Sequence, residues 1–501
     1  MVCSMGVLLV ISSMVALNAA LGAIAVDTLA TQSQLTWIVD GYTLVMACLL
    51  LPAGAMGDRY GRRAALLVGL VIFGGASLAP LFFDSPTALI AARGAAGIGA
   101  AAILPATLSL LTAAYPDEER NKAIGIWAGV CASSALVGFT GTALLTQFGP
   151  WQSIFWAFAA VSAALFACAL TITSSKDPES RPVDWWGALV IGSAVAALVF
   201  GVIEAPLRGW GNPLVGGCLA GGLMLAVFFG FLELRRRHPL LDIRVFGRPD
   251  MLAGSISMTT LFFAIFGFFF LIMQHLQLVV GYSPLQTALA LCPLAIPLLI
   301  IAVSTQWYLP RLGLRISVAA GLAILAVGLL SMRLVDVDST YFDLAWPLVV
   351  ISVGMGICNA PATTAITGAV PLSKQGVASA INDTTRELGG ALGIALAGSV
   401  LAAGYRHALA ANVTTLPAVV QDPALGSLAQ ALTIAESLGP AGANLSADAK
   451  HAFMEAMHSS LLMLGAVVFA AAAVVAIWAP GRGGQQLRLV RRLGTGRGNE
   501  Q

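Results

Sequence analysis

"GDRYGRR", residues Gly57 to Arg63, packs four charges and two glycines into seven positions. The stretch before it, Trp37 to Met56, holds one acidic side chain, Asp40, and no basic one. Another long apolar stretch begins at Ala64. A membrane span needs about 20 predominantly apolar residues. GDRYGRR therefore reads as the turn between two membrane helices. The rest of the chain keeps that rhythm. Of its 501 residues, 58% are hydrophobic and only 10% are charged. Soluble domains carry about 25% charged residues. The composition is that of a polytopic, all-α membrane protein. A net charge of +2 points to no acidic polymer, so nucleic acid is not expected as a partner.

The seven cysteines, Cys3, Cys48, Cys131, Cys168, Cys218, Cys292 and Cys358, are scattered and form no CxxC pair. The five histidines show no HxxxH spacing. Neither a disulfide framework nor a metal site is expected, and no cofactor motif is present. The first apolar segment is too long for a signal core, and no Lys or Arg precedes it, so it reads as a span. The bare "MVCS" start reads as lacking a short cytoplasmic arm.

Fourteen apolar segments are predicted, at 6–26, 37–56, 64–83, 87–112, 121–146, 153–173, 183–205, 214–234, 253–278, 286–309, 315–333, 344–370, 376–404 and 458–479. With the N-terminus inside, the inner loops and tail hold 20 of the 26 Lys and Arg residues. The outer loops hold four, Arg208, Arg333, Arg406 and Lys450, and Arg93 and Arg386 fall within spans. That asymmetry follows the positive-inside rule and puts both termini in the cytoplasm.

An internal repeat supports the count. "LPRLGLR", Leu309 to Arg315, aligns with GDRYGRR on its glycine, so Arg311, Gly313 and Arg315 match Arg59, Gly61 and Arg63. The match falls at equivalent places if spans 1–6 and 9–14 are two six-helix halves with spans 7 and 8 inserted. The division is then 1–175 for the N-terminal bundle, 176–238 for the inserted pair and 239–480 for the C-terminal bundle. An extracytoplasmic loop is predicted at about 405–457, where "SADAKHAFMEAMH" reads as a serine-capped helix. A basic cytoplasmic tail, 481–501, closes the chain.

"GAMGDRYGRR" resembles the signature loop of the major facilitator superfamily. With fourteen spans, the chain resembles its branch of drug:proton antiporters, the quaternary-ammonium and multidrug exporters. Nearly the whole chain shares the likeness. It runs through "WIVDGYTLVMACLLLPAGAMGDRYGRR", "ARGAAGIGAAAILPATLSLL", "IEAPLRGW" and "ASAINDTTRELGGALGIALAGS". The resemblance implies a bacterial cytoplasmic-membrane protein. Four departures stand out. Asn18 replaces the branch's usual acidic residue in span 1, and Ala96 replaces a glutamine. "VGFTGT", Val137 to Thr142, lacks a proline and a glycine of the antiporter motif. "WQSIF", Trp151 to Phe155, replaces "WRWIF". They weaken the case for standard proton exchange, not for the fold.

In the resembling family the GDRYGRR cluster latches the two halves. Gly57 and Gly61 allow close approach, Asp58 accepts hydrogen bonds, and Arg59, Arg62 and Arg63 hold the inner face. Arginines alone would serve topology; the glycines and Asp58 point to a gate. Ionisable groups inside a span cost roughly 2.5–3.5 kcal/mol each on insertion scales and are usually functional. Asp383 and Glu387 share a helix face, and Arg386 lies three residues from Asp383. Burial favours the neutral form of a carboxyl and a neighbouring guanidinium favours its anion. A carboxyl held between the two suits a proton carrier; a fixed ion pair packing the helix is the other reading. Arg93 matches the family's span-4 arginine, implied to act in proton coupling. Asp40, Asp383 and Asn18 are the candidates for substrate contact. Asp40 and Arg93 lie at similar depth and could pair if their faces meet. Asp27 and Glu204 read as exposed helix ends.

The expected function is secondary export of amphipathic, often cationic compounds, driven by protons, from a monomer in a lipid bilayer. No GxxxxGK[ST] loop is present, which disfavours a nucleotide-driven pump, and no GxSxG or HExxH points to an enzyme. A dedicated exporter of one antibiotic, metabolite or lipid is an alternative. A transport-inactive sensor or assembly partner is another.

Overall fold

The computed structural model describes residues 1–17, 20, 24, 27–28, 32–83, 85–173, 184–236, 243–371, 374–413 and 417–481. Among these there is no strand. The chain runs through α1 (Val2–Ala16), α2 (Gln32–Tyr60), α3 (Arg62–Leu78), α4 (Pro86–Ala114), α5 (Asp117–Phe148), α6 (Gln152–Ala169) and α7 (Trp185–Arg208). It continues through α8 (Pro213–Arg235), α9 (Pro249–Gln274), α10 (Leu285–Val303), α11 (Thr305–Ser331), α12 (Tyr341–Gly368), α13 (Gln375–Leu409) and α14 (Ala443–Trp478). Among the described residues twelve helices, α2–α4 and α6–α14, are each long and apolar enough to cross a bilayer. The two arms of α5 meet the same test as one bent span. At 15 residues, α1 is shorter than the expected first span. Asn18 and most of the remainder of that segment lie outside the described residues.

Local signals start several helices. Ser85 accepts from the Ala88 N–H at the head of α4, Asp184 from Gly187 at α7, and Asn212 from Leu214 at α8. Pro86 and Pro213 occupy first-turn positions that need no N–H donor.

Lipid gives helices no hydrophobic reason to associate, so close packing by small residues does the work. Two apolar cores result. Val10, Tyr42, Phe73, Leu104, Trp127 and Phe155 mark the first, drawn from α1–α6. Leu261, Phe268, Leu325, Ile351, Phe453 and Leu464 mark the second, drawn mainly from α9–α14. On α13 the glycines face α9: a Cβ on Gly389 would lie 3.0 Å from Thr259 Cα, and one on Gly393 3.0 Å from Phe263 Cα. A small third cluster, Ala47, Val195 and Val199 with Leu388 beside it, wedges α7 between α2 and α13.

The repeat has a backbone counterpart. Gly61 alone separates α2 from α3, at φ 112°. Gly313, at φ 78°, interrupts α11 in the same way, so Thr305–Ser331 is two helices joined at a glycine inside the predicted 309–315 turn. Two residues beyond each glycine an arginine caps a helix end. Arg63 donates to the carbonyls of Ala169 and Leu170 at the end of α6. Arg315 Nε donates to Ala479 O at 2.6 Å at the end of α14. Final-turn carbonyls lack intrahelical donors, which a guanidinium supplies.

The described residues of the predicted outer stretch, 405–457, are largely helical. α13 runs on to Leu409, and two short helices come next, Ala418–Gly426 and Leu428–Ser437. The expected helix is present within the opening of α14, a single helix of 36 residues that begins after Gly442 and has no serine cap.

Candidate functional site

Asp58 lies in the last turn of α2 and is 6% exposed. Its Oδ1 accepts from Arg62 Nε, and Arg62 Nη2 lies 2.8 Å away. The carboxylate also bridges to the second core. Gly376 N–H donates to Oδ1 at 2.9 Å and Val377 N–H to Oδ2 at 3.1 Å. These are first-turn amides of α13, which have no intrahelical acceptor and carry the positive end of the helix dipole. Asp58 thus caps a helix 318 positions away in sequence. Arg62 is buried with it, Arg59 lies over the Tyr60 ring, and Arg63 caps α6. Gly61 is required by its φ. Gly57 is not a point of close approach, since a Cβ there would rest 3.5 Å from Ala65 Cβ. That role falls to Gly54, at the head of GAMGDRYGRR: its Cβ would lie 2.8 Å from Ala380 Cβ.

Further along α13 the predicted charges come together. Arg386 Nη1 is 3.4 Å from Asp383 Oδ1, and Nε is 3.3 Å from Glu387 Oε1. Asp383, Arg386 and Glu387 are 0%, 1% and 4% exposed. Glu387 lies twelve residues past Gln375, roughly 18 Å along the helix, which is near the middle of a ~30 Å hydrocarbon core. Arg386 reaches the first core as well, donating from Nη1 to Cys131 Sγ on α5 at 3.0 Å, and it lies over the Phe262 ring of α9. Both Asp383 oxygens, Arg386 Nη2 and Glu387 Oε2 make no hydrogen bond. The group is buried, charged and under-satisfied. A single positive charge serves two carboxylates, so one added proton or one more cation is needed for local neutrality.

Arg93 and Asp40 do not pair. Arg93, 2% exposed, donates to Ser13 Oγ at 2.8 Å, Ser13 O at 3.0 Å and Ile38 O at 3.1 Å. Its guanidinium lies 4.2 Å from the centre of the Tyr42 ring. Neutral oxygens and an aromatic face hold it because α4 turns Arg93 towards α1. Tyr42 in turn donates to Val10 O and lies within electrostatic reach of Arg386 and Glu387. Asp40 is half-buried and senses the charge of Glu204 on α7. Glu204 is not the exposed helix end the sequence indicated: it is buried and paired with Arg208 one turn on. Asp27, in contrast, is exposed and accepts from Trp151 Nε1.

Sequence reasoning missed Gly54, Tyr42, Ser13 and Cys131. It also missed Asn359 of α12, which donates to Ala128 O on α5 at 3.0 Å across the two cores. Helix periodicity could have flagged Gly54, four residues before Asp58 on the same face. Nothing local marks Cys131. Among the described residues no cluster suits a metal ion.

A sequence model described as Major Facilitator Superfamily matches residues 3–394, spanning the latch, Arg93 and the α13 charges. The chain belongs to that superfamily. This transporter is 33% identical to the multidrug resistance protein Stp of Mycobacterium tuberculosis (strain CDC 1551 / Oshkosh), over 80% of this chain and 74% of Stp. It is 31% identical to the multidrug efflux pump LfrA of Mycolicibacterium smegmatis, over 95% of each chain. The tetracenomycin C resistance and export protein of Streptomyces glaucescens is 29% identical over 92% of this chain and 88% of its own. Among solved structures, the human organic anion transporter MFSD10 (TETRAN) superposes with a TM-score of 0.61 at 14% identity, covering 95% of this chain and 98% of its own. The proton:xylose symporter XylE gives 0.59, also at 14% identity, covering 98% and 97%. These two share the transporter's fold.

Proposed function

We propose that this transporter is a proton-driven exporter of amphipathic, cationic small molecules, working by alternating access as a monomer in the bacterial inner membrane. The observation that carries the reading is the buried trio on α13, in which Arg386 balances only one of two carboxylates. Asp383 is the proton carrier, with Glu387 beside it; Arg386 resets the anion. Arg93, through Tyr42, couples the first core to that site, and Asp40 meets cationic substrate. The Asp58 latch closes the cytoplasmic side, and the arginine-rich turns support both termini lying on that side. The multidrug names of Stp and LfrA agree with a broad substrate range. A dedicated exporter of one antibiotic is the second reading, favoured by the likeness to the tetracenomycin C exporter.

Proteoliposomes loaded with a pH dye and offered ethidium test the reading. The parent protein accumulates ethidium when a pH difference is imposed. Asp383→Asn keeps the side chain's shape and removes the titrating group. It should exchange ethidium down its own gradient yet build none. Undiminished pH-driven accumulation by Asp383→Asn would pass the carrier role to Glu387.

A further inference from the structure

Between the Asp58 latch and the ion trio, α13 carries polar groups to which the proton-driven cycle assigns no role. Ser379 and Asn382 are both 0% exposed. Ser379 Oγ has no hydrogen-bond partner in the protein, and the Asn382 amide makes no well-formed hydrogen bond, with only the neighbouring Asp383 carboxylate within its reach. An unsatisfied buried polar group is costly to fold and calls for a partner. Ser257 and Ser460, also buried between helices, each bond a carbonyl one turn back, which Ser379 does not.

Their positions form a row. Asp58 holds the Gly376 N–H, and Ser379 lies about one helical turn beyond Gly376. Asp383 is one turn past Ser379, with Asn382 adjacent, and Glu387 one turn further. Each turn advances about 5–6 Å, a gap that one bridging water closes with two hydrogen bonds. In the latched form α2 seals this row. A Cβ on Gly376 would lie 2.7 Å from Asp58 Cγ, and one on Gly54 2.8 Å from Ala380 Cβ, so the helices leave no space for water at that level.

We propose that Ser379 and Asn382 line the route by which the Asp383 proton reaches the Asp58 face, and that the Asp58–Gly376 contact gates that route. The proposal rests on the proton-driven reading. When the latch opens, α2 parts from α13 and water enters beside Ser379. The Asp383 O–H bond then breaks as a water O–H forms, and the carboxylate left behind is held by Arg386. Ser379 both donates and accepts, and the Asn382 amide does the same, so they order the water without titrating. The charged and titratable groups around Asp383 and its partners are Arg386 and Glu387 on α13, Cys131 on α5 and Tyr42 on α2. Latch opening and proton release become one event, which prevents protons leaking through a closed transporter.

The test uses the full chain in proteoliposomes, with Ser379→Ala, Asn382→Leu and the pair. Ethidium-triggered proton release and pH-driven ethidium uptake should slow about tenfold or more in the pair, the scale of losing a proton-transfer partner. Ethidium–ethidium counterflow, which moves no net proton, should stay at the parent rate. Ser379→Thr, which keeps the hydroxyl, should behave as the parent. If the pair fails to insert, Ser379→Ala and its Thr counterpart carry the test alone. Proton release at the parent rate overturns the route, as does counterflow falling in step with it. A parent protein that shows no pH-driven uptake would instead remove the underlying reading, so the two failures are distinct.

Discussion

The Gly376 N–H donates to Asp58 at 2.9 Å, and through that bond the end of α2 caps the start of α13. A helix start offers several unsatisfied N–H groups, and a carboxylate meets them better than any neutral side chain. The bond therefore joins the two cores by charge as well as by shape. It is also reversible, since opened amides and a freed carboxylate can both turn to water.

Asp58→Asn keeps the size of the side chain and removes the charge. Hydrogen bonds to charged groups contribute about 1.5–3 kcal/mol, against about 1 for neutral ones. The latched form should lose about 1–2 kcal/mol relative to the open one. Expression and insertion should hold, because the arginines that set topology remain. Transport should fall at least severalfold, measured as ethidium export per molecule of protein in the membrane. Export at the parent level would reduce Asp58 to a topology residue.

Gly54→Val tests the same contact by volume. A Cβ at 54 would press on Ala380, and overpacking costs typically 1–3 kcal/mol. α2 and α13 should stand apart, with the Asp58 side unsealed. In a background without the seven native cysteines, Ala380→Cys should label faster with a membrane-impermeant maleimide when Gly54→Val is present. Equal labelling with and without Gly54→Val would show that the contact is not a seal.

Much of this was legible in the sequence because its signals are local. Apolar length and arginine placement follow from the cost of burying charge in lipid. The Asp383, Arg386 and Glu387 trio could be read from helix periodicity alone, since its members are within four residues of one another. Partners on other helices were not legible. Cys131 under Arg386, Ser13 under Arg93 and Gly376 against Asp58 are set by how helices cross, and crossing is encoded in many small residues at once. Whether Arg93 and Asp40 meet was not legible for that reason: depth was readable and facing was not. Glu204 looked like a helix end because the sequence does not show that α7 wedges against α2.

Arg93 makes three hydrogen bonds to Ser13 and Ile38 and lies over Tyr42, all in one plane-and-fork geometry. Lysine keeps the charge and lacks the planar fork. Arg93→Lys should lower thermal stability and cut transport severalfold. Tyr42→Phe retains the ring beneath the guanidinium and loses the hydroxyl's bond to Val10 O and its contact with Ser13, a change of about 1 kcal/mol for the bond. Its effect on unfolding, tracked by size-exclusion after heating, should be the smaller of the two. A harmless Arg93→Lys would mean that charge alone matters at this position.

The repeat makes the sharpest structural prediction. Gly61 has φ 112° and ψ 128°, and Gly313 has φ 78° and ψ 167°. Neither is the ordinary left-handed helical region that asparagine tolerates; both lie in or near the region that is essentially reserved for glycine. A side chain there costs roughly 1–3 kcal/mol whatever its nature. Gly61→Ala and Gly313→Ala should each lower the unfolding temperature, and Gly61→Asn and Gly313→Asn should give no relief. The two glycines serve different cores, so their effects should add to within about 0.5 kcal/mol. Each misplaces the arginine two residues on, Arg63 or Arg315, so each should also release the end of one helix, α6 or α14. Hydrogen exchange at those ends separates the two cases. Gly61→Ala should speed exchange at 166–170 and spare the end of α14, and Gly313→Ala should do the reverse. Exchange spreading to both ends from either change would show that the two glycine turns are not independent copies of one device.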